Sequence, residues 1–170
     1  MRSTAAALAA LTLLTACATP PATPRFGPDG QPLPVIYQIS ARDKSEIQFR
    51  MLDSVNALRR EAGVSDLTFD PALNAAAATH SRDMSRQNRP WHFGSDGSSP
   101  LDRVARAGFD GQMLGENISE TYETELETLG AWMEDPATRA VVLEARARRV
   151  GFEWYQEPTG KIWWTMVTGT

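Results

Sequence analysis

Two stretches near the C-terminus alternate with a period of two, and the second carries large apolar side chains on both of its faces. Val150, Phe152 and Trp154 alternate with Gly151, Glu153 and Tyr155. Ile162, Trp164 and Met166 alternate with Trp163, Thr165 and Val167. That period belongs to strands, and Glu157-Pro158-Thr159-Gly160 between them is turn chemistry. An antiparallel hairpin is therefore predicted. A strand that is apolar on both faces must be covered on both. The segments before it carry a helical period, so helices are expected to supply both covers. The fold class expected is α+β: a three-layer α-β-α sandwich with a small antiparallel sheet.

The helices are legible from their stripes and caps. Ile47, Met51, Val55 and Leu58 recur at spacings of four, four and three, which is one helical face over 44–62. Gly63 is its stop. Asp70-Pro71 opens a second helix with a carboxylate N-cap and proline in the first turn. Its stripe is Leu73, Ala76, Ala77, His80 and Met84, and the alanines allow close approach of another layer. After the loop 87–99, Ser99-Pro100 opens a short helix over 101–107, closed by Gly108. Gly115 to Ser119 reads as a short strand. A third long helix is predicted over 121–134, with Leu126, Leu129 and Met133 inward. Glu120, Glu123, Glu125 and Glu127 gather at its start, where the helix dipole favours them. Asp135-Pro136 starts another short helix. Val35 to Ile39 reads either as an edge strand or as chain packed on the domain.

The N-terminal residues have a different character. Arg2 and the Ala/Leu/Thr run 5–14 are too short to span a bilayer as a stable helix and read as a signal peptide, residues 1–17. Its end, Leu14-Thr15-Ala16-Cys17, resembles a bacterial lipobox. That resemblance implies lipidation at Cys17, including palmitate-type acylation of the new N-terminus, and anchorage to a membrane. Residues 18–40 hold six prolines and two glycines and read as an extended tether. The domain is then 41–170. It contains no cysteine, so it is expected to rely on its core rather than on disulfides. A net charge of −4 offers no basic face for nucleic acid.

The chemistry-bearing residues are His92, between Trp91 and Phe93, and Glu116, in Gly115-Glu116-Asn117-Ile118. Imidazole and carboxylate are the groups most used for proton transfer and metal binding. Three readings stay open for the pair: a hydrogen bond pinning the Ser/Pro/Gly-rich loop to the sheet, a ligand cleft, or a proton-transfer centre. His80 lies on an apolar stripe and reads as a satisfied, partly buried histidine, with a place beside His92 as the alternative. Trp91 is expected at a cleft rim. Arg146, Arg148 and Arg149 read as a solvated edge. Ser95, Ser98 and Ser99 lie near His92, but the chain has no nucleophile elbow.

The order of these motifs resembles the CAP superfamily, which groups cysteine-rich secretory proteins, antigen 5 and plant pathogenesis-related proteins with a bacterial SCP-like branch. Asn56-Ala57-Leu58-Arg59, Ala78 to Met84, His92 to Phe109, Gly115-Glu116-Asn117-Ile118, Trp132 to Pro136 and Val150-Gly151-Phe152 carry the likeness. It implies a cleft of two histidines and two acidic residues. His92 and Glu116 match two of those places, Asp135 falls on the third, and Thr138 stands where the second histidine belongs. A hydroxyl is a poor zinc ligand. No cofactor is expected, and zinc is the metal such a remnant would take. The leading expectation is a non-enzymatic, lipid-anchored binding domain of the bacterial cell envelope, in the outer membrane rather than the inner. Its cleft of His92, Glu116, Asp135 and Thr138 would hold a small apolar molecule, a glycan or an envelope protein. A hydrolase or metal-dependent enzyme at His92/Glu116 is the alternative.

Overall fold

The structure, a computed structural model, describes Pro28, Gln31 and residues 37–170. The signal peptide, Cys17, most of the Pro-rich tether and Val35-Ile36 lie outside the described residues. Two units are distinguished: Met1–Val35, in which Pro28 is an exposed turn residue, and Ile36–Thr170.

The second unit runs α1 (Lys44–Glu61), β1 (Thr68–Phe69), α2 (Pro71–Gln87), α3 (Pro100–Arg106), β2 (Met113–Ser119), α4 (Glu125–Glu134), α5 (Pro136–Val142), β3 (Arg149–Gln156) and β4 (Ile162–Gly169). The sheet order is β1-β3-β4-β2. The hairpin β3–β4 forms as predicted, with Phe152 opposite Met166 and Trp154 opposite Trp164. The sheet is not purely antiparallel, because β1 pairs in parallel with β3. Two residues are too few to show a period, which is why β1 is invisible in the sequence.

The pleat of β4 builds the layers. Ile162, Trp164 and Met166 join Ile47, Met51 and Val55 of α1, Leu129 and Trp132 of α4 and Val142 of α5 in one core. Phe152 stacks on Trp164 there, centroids 5.6 Å apart. On the other face Val167 packs with Leu73, Ala76 and Ala77 of α2 and Val104 of α3. Thr165 on that face accepts from or donates to Ser81 Oγ at 2.9 Å. The fold is thus the three-layer α+β sandwich.

The alanines of α2 are matched by Gly151 on β3. A Cβ at Gly151 would collide with the α2 backbone at Leu73 and Asn74. Gly151→Ala should therefore lift α2 off the sheet and cost about 2–3 kcal/mol, the upper range for overpacking. Urea unfolding reads this as a lower midpoint with an unchanged slope. A loss within a few tenths of a kcal/mol would contradict the close packing.

One helix start differs from expectation, and two further readings gain detail. The helix predicted over 121–134 starts at Glu125, because Thr124 and Glu127 form a capping box. With that start, Glu125 is buried and Leu126 is 46% exposed, whereas Leu129 and Met133 face the core as predicted. Buried Glu125 takes an ion pair from Arg50 Nε at 2.7 Å. Tyr37 and Ile39 form no strand. They pack on the core, held by the Gln156 side chain, whose Oε1 accepts from Ile39 N and whose Nε2 donates to Tyr37 O. Arg146 pairs with Glu144, and Arg149 pairs with Asp110 and Asp70. Among the described residues no helix is long and apolar enough to cross a membrane.

Candidate functional site

Strand β2 alternates, so adjacent residues Glu116 and Asn117 serve different helical layers. Asn117 Nδ2 donates to Thr138 O on α5. Glu116 meets α2, α3 and the loop that joins them. Its Oε1 lies 2.9 Å from His92 Nδ1 and 3.7 Å from His80 Nε2. Its Oε2 accepts from Arg103 Nη2 at 2.7 Å. The structure therefore brings His92 and Glu116 together across twenty-four positions. It adds two groups that sequence reasoning did not assign to the site, Arg103 and His80.

Local rules place each partner. The Asp70 carboxylate caps α2 at Ala72 N and Leu73 N, and the inner stripe of that helix presents His80. Asn88 ends the helix in the left-handed conformation, φ 47°. A capping box of Ser99 and Asp102 starts α3 and fixes the turn that carries Arg103. Arg103 Nη2 also donates to His92 O at 3.2 Å, so one guanidinium holds both the loop and the strand. The rest of the loop is tied to α2. Ser95 N and Oγ both donate to the Asp83 carboxylate, at 2.6 and 2.7 Å. Trp91 Nε1 donates to Gln87 Oε1, and Gln87 Nε2 donates to Phe93 O.

The electrostatics follow from burial. Removal from water pushes the Glu116 carboxyl up. The His92 hydrogen bond, the neighbouring His80 ring and the charge and hydrogen bond of Arg103 outweigh it, leaving the group below the usual carboxylate range. Glu116 is thus ionised and can only accept, so His92 Nδ1 carries the shared proton. His80 is fully buried, and burial drives its imidazole down to about 4 against the pull of Glu116. The Trp91 backbone favours the protonated His80 ring and so opposes burial, and among the described residues Arg103 Nε and Nη1 meet no hydrogen-bond partner. His80 is fully rather than partly buried, and its 3.7 Å distance to Glu116 is too long for a hydrogen bond.

A depressed imidazole gives a signed pH dependence. The unfolded chain takes a proton on His80 near pH 6.5, whereas the folded one takes it near 4. His80 therefore leaves stability intact above pH 6.5 and removes it as pH falls toward 4, by about 3 kcal/mol in all. Chemical denaturation across pH 4–7 should show that slope in the wild type and lose most of it in His80→Phe. An identical slope in both chains would contradict it.

Asp135 and Thr138 do not join this cluster. Asp135 is exposed, and its Oδ1 caps α5 by accepting from Ala137 N and Thr138 N. The Thr138 hydroxyl donates to Trp132 O at 2.8 Å. Both positions were assigned from motif order, and both side chains are engaged in the turn between α4 and α5. His80 stands beside Glu116 instead. The guanidinium of Arg103 occupies one oxygen of Glu116, and His92 Nδ1 faces the other. Among the described residues no group of three or more His, Cys, Asp or Glu is arranged to hold a metal.

The model of the cysteine-rich secretory protein family, CAP, matches residues 52–168. The chain belongs to that family. It is 28% identical over 119 residues to the uncharacterized protein YkwD of Bacillus subtilis (strain 168), covering 70% of this chain but 46% of YkwD, so it spans less than half of that relative. An outer surface protein from Borrelia burgdorferi superposes with TM-score 0.67 at 14% identity, over 80% of this chain and 98% of that one. An extracellular protein containing a SCP domain from Bacillus anthracis str. Ames gives TM-score 0.68 at 20% identity, over 79% and 45%. These structures are similar in fold. The chain is a bacterial-type CAP domain protein.

Proposed function

We propose that this chain is a lipid-anchored binding domain of the bacterial cell envelope, held through Cys17 in the outer membrane, with the 88–99 loop as its recognition surface. The observation that carries the reading is the Glu116 joint. One buried carboxylate holds His92 from the sheet side while Arg103 holds the loop backbone, leaving His92 51% exposed at the side chain. A pre-ordered loop binds without the cost of ordering on contact. The Ser95 hydroxyl donates to Asp83 rather than to His92. The anchor would be stable, since each buried methylene contributes about 0.8 kcal/mol and a lipidated cysteine carries more than one acyl chain.

A second reading is supported by one specific feature. A buried carboxylate on His92 Nδ1 leaves Nε2 as the basic nitrogen of a half-exposed ring, the arrangement of a general base. One experiment separates the two. Full-length protein in detergent is sedimented with purified bacterial cell-wall sacculi. Binding predicts retention in the pellet, at least tenfold weaker in His92→Ala, with no soluble fragment released. Fragment release that is abolished in His92→Ala would establish the enzyme instead, and no retention at all would remove this ligand class. Lipidation is checked by labelling cells with radioactive palmitate. Label should enter the wild type and vanish in Cys17→Ser; label retained in Cys17→Ser would refute the anchor.

A further inference from the structure

Beside the Glu116 joint, α2, α3 and the 94–98 segment enclose a groove of about 370 Å³. That is near the lower end of small-molecule pockets, about 300–1,000 Å³. We infer that this groove is a saccharide subsite that takes a short segment of a neutral glycan. The inference rests on the binding reading above and names its ligand class.

Its surface combines the two features a sugar ring needs. Ala75, exposed, and Ala107, half-buried, supply a small apolar patch for the C–H face of a ring. Two carboxylate–guanidinium pairs, Asp83–Arg86 at 2.8 Å and Asp96–Arg106 at 2.6 Å, supply planar donors and acceptors for neighbouring hydroxyls. The outer side chains of these pairs are in water: Arg86 is 68% exposed, Arg106 64% and Asp96 54%. They can therefore exchange solvent for a ligand without breaking the core. Each pair cancels its own charge, and the whole chain carries −4. Both facts favour an uncharged glycan over a polyanion.

An aromatic side chain lies next to the groove. Phe93, 46% exposed, directly precedes Gly94, which lines the groove. Trp91 braces it, with ring centroids 5.6 Å apart. Gln87 joins this aromatic pair to the groove wall, since its amide reaches Phe93 O, Trp91 Nε1 and Asp83 Oδ2. Gly94 itself is packed tightly, for a Cβ there would press on the Ser98 hydroxyl and the Asp96 carboxylate. Gly94 thus leaves no room for a side chain in the groove wall, and Phe93 sits one residue away, outside the groove lining, at its approach. An exposed ring beside paired polar groups is the combination that stacks on a sugar while its hydroxyls are read.

The test is titration calorimetry of the full chain, in a detergent without a sugar headgroup, with the tetramer of N-acetylglucosamine as probe. Phe93→Ala and Arg106→Ser each change an exposed side chain, and circular dichroism verifies that both fold. Binding by the wild type, weakened at least tenfold in each variant and unchanged in Phe49→Ala on α1, is the expected result. Binding that is unaffected by both groove variants would overturn the assignment. No tetramer binding, with sacculi still sedimenting the protein, would overturn the glycan and leave the binding domain standing. Loss of sacculus retention as well would remove both. Binding of a sulfated polysaccharide but not of the tetramer would also overturn the inference.

Discussion

Replacing Arg59 by methionine should lower stability by about 3–5 kcal/mol, although the site is far from Glu116. Arg59 is fully buried on α1 and has no carboxylate partner. Its guanidinium donates instead to backbone carbonyls: Nε to Ser65, Nη1 to Val142 and Glu144, and Nη2 to Glu144 and Ala147, at 2.7–3.2 Å. One side chain thereby closes the turn after α1 and the segment between α5 and β3. Burial pushes its pKa down, yet a guanidinium remains charged in proteins. Methionine keeps the stem packed and removes every bond, so carbonyls in the interior lose their donor at about 1–3 kcal/mol each, partly offset by relaxation. Lysine should recover only part, because a single ammonium cannot reproduce the fork. The urea midpoint reads the change, and a loss below about 1 kcal/mol would contradict the role.

Glu116→Gln should cost about 3–5 kcal/mol for a different reason. The amide keeps the size and loses the charge. Arg103, only 6% exposed, then stands as a buried cation without an anion. Its Nε and Nη1 already lack partners, so the carboxylate is its main compensation. Adding Arg103→Met to Glu116→Gln should restore roughly half of the loss, since an apolar side chain of similar volume leaves no unpaired charge. His92→Ala, at a half-exposed partner, should cost no more than about 1 kcal/mol. Simple addition of the two single losses in the double variant would refute the coupling.

Much of this fold could be read from periodicity. The α1 and α2 stripes are buried as written, down to Ile47, Met51, Val55, Leu73, Ala76 and Ala77. Proline and acidic caps gave the helix starts at Pro71, Pro100 and Pro136. The failures are equally physical. Glu120 and Glu123 suggest a helix start near 121, but the Thr124 capping box starts the helix at Glu125, which is buried. β1 exists only as a parallel pair with β3 and has no pattern of its own. At the site, the meeting of His92 with Glu116 could be guessed from the loop between them. The places of Arg103 and His80 could not, since they depend on which face of β2 turns toward α2 and α3. A signal was present in hindsight: a histidine on the buried stripe of α2 and an arginine one turn into a capped helix both need a polar partner in the middle layer. Motif order misled at Asp135 and Thr138, where local capping takes both side chains.

The nitrogen resonances of the two histidines, recorded by NMR at neutral pH, test the joint most directly. A buried carboxylate on His92 Nδ1 requires the Nδ1–H tautomer for that ring, hydrogen-bonded and protected, while His80 stays neutral. A His92 ring in the Nε2–H form, averaging freely with solvent, would mean that Glu116 does not hold the loop, and the account built on it would fail.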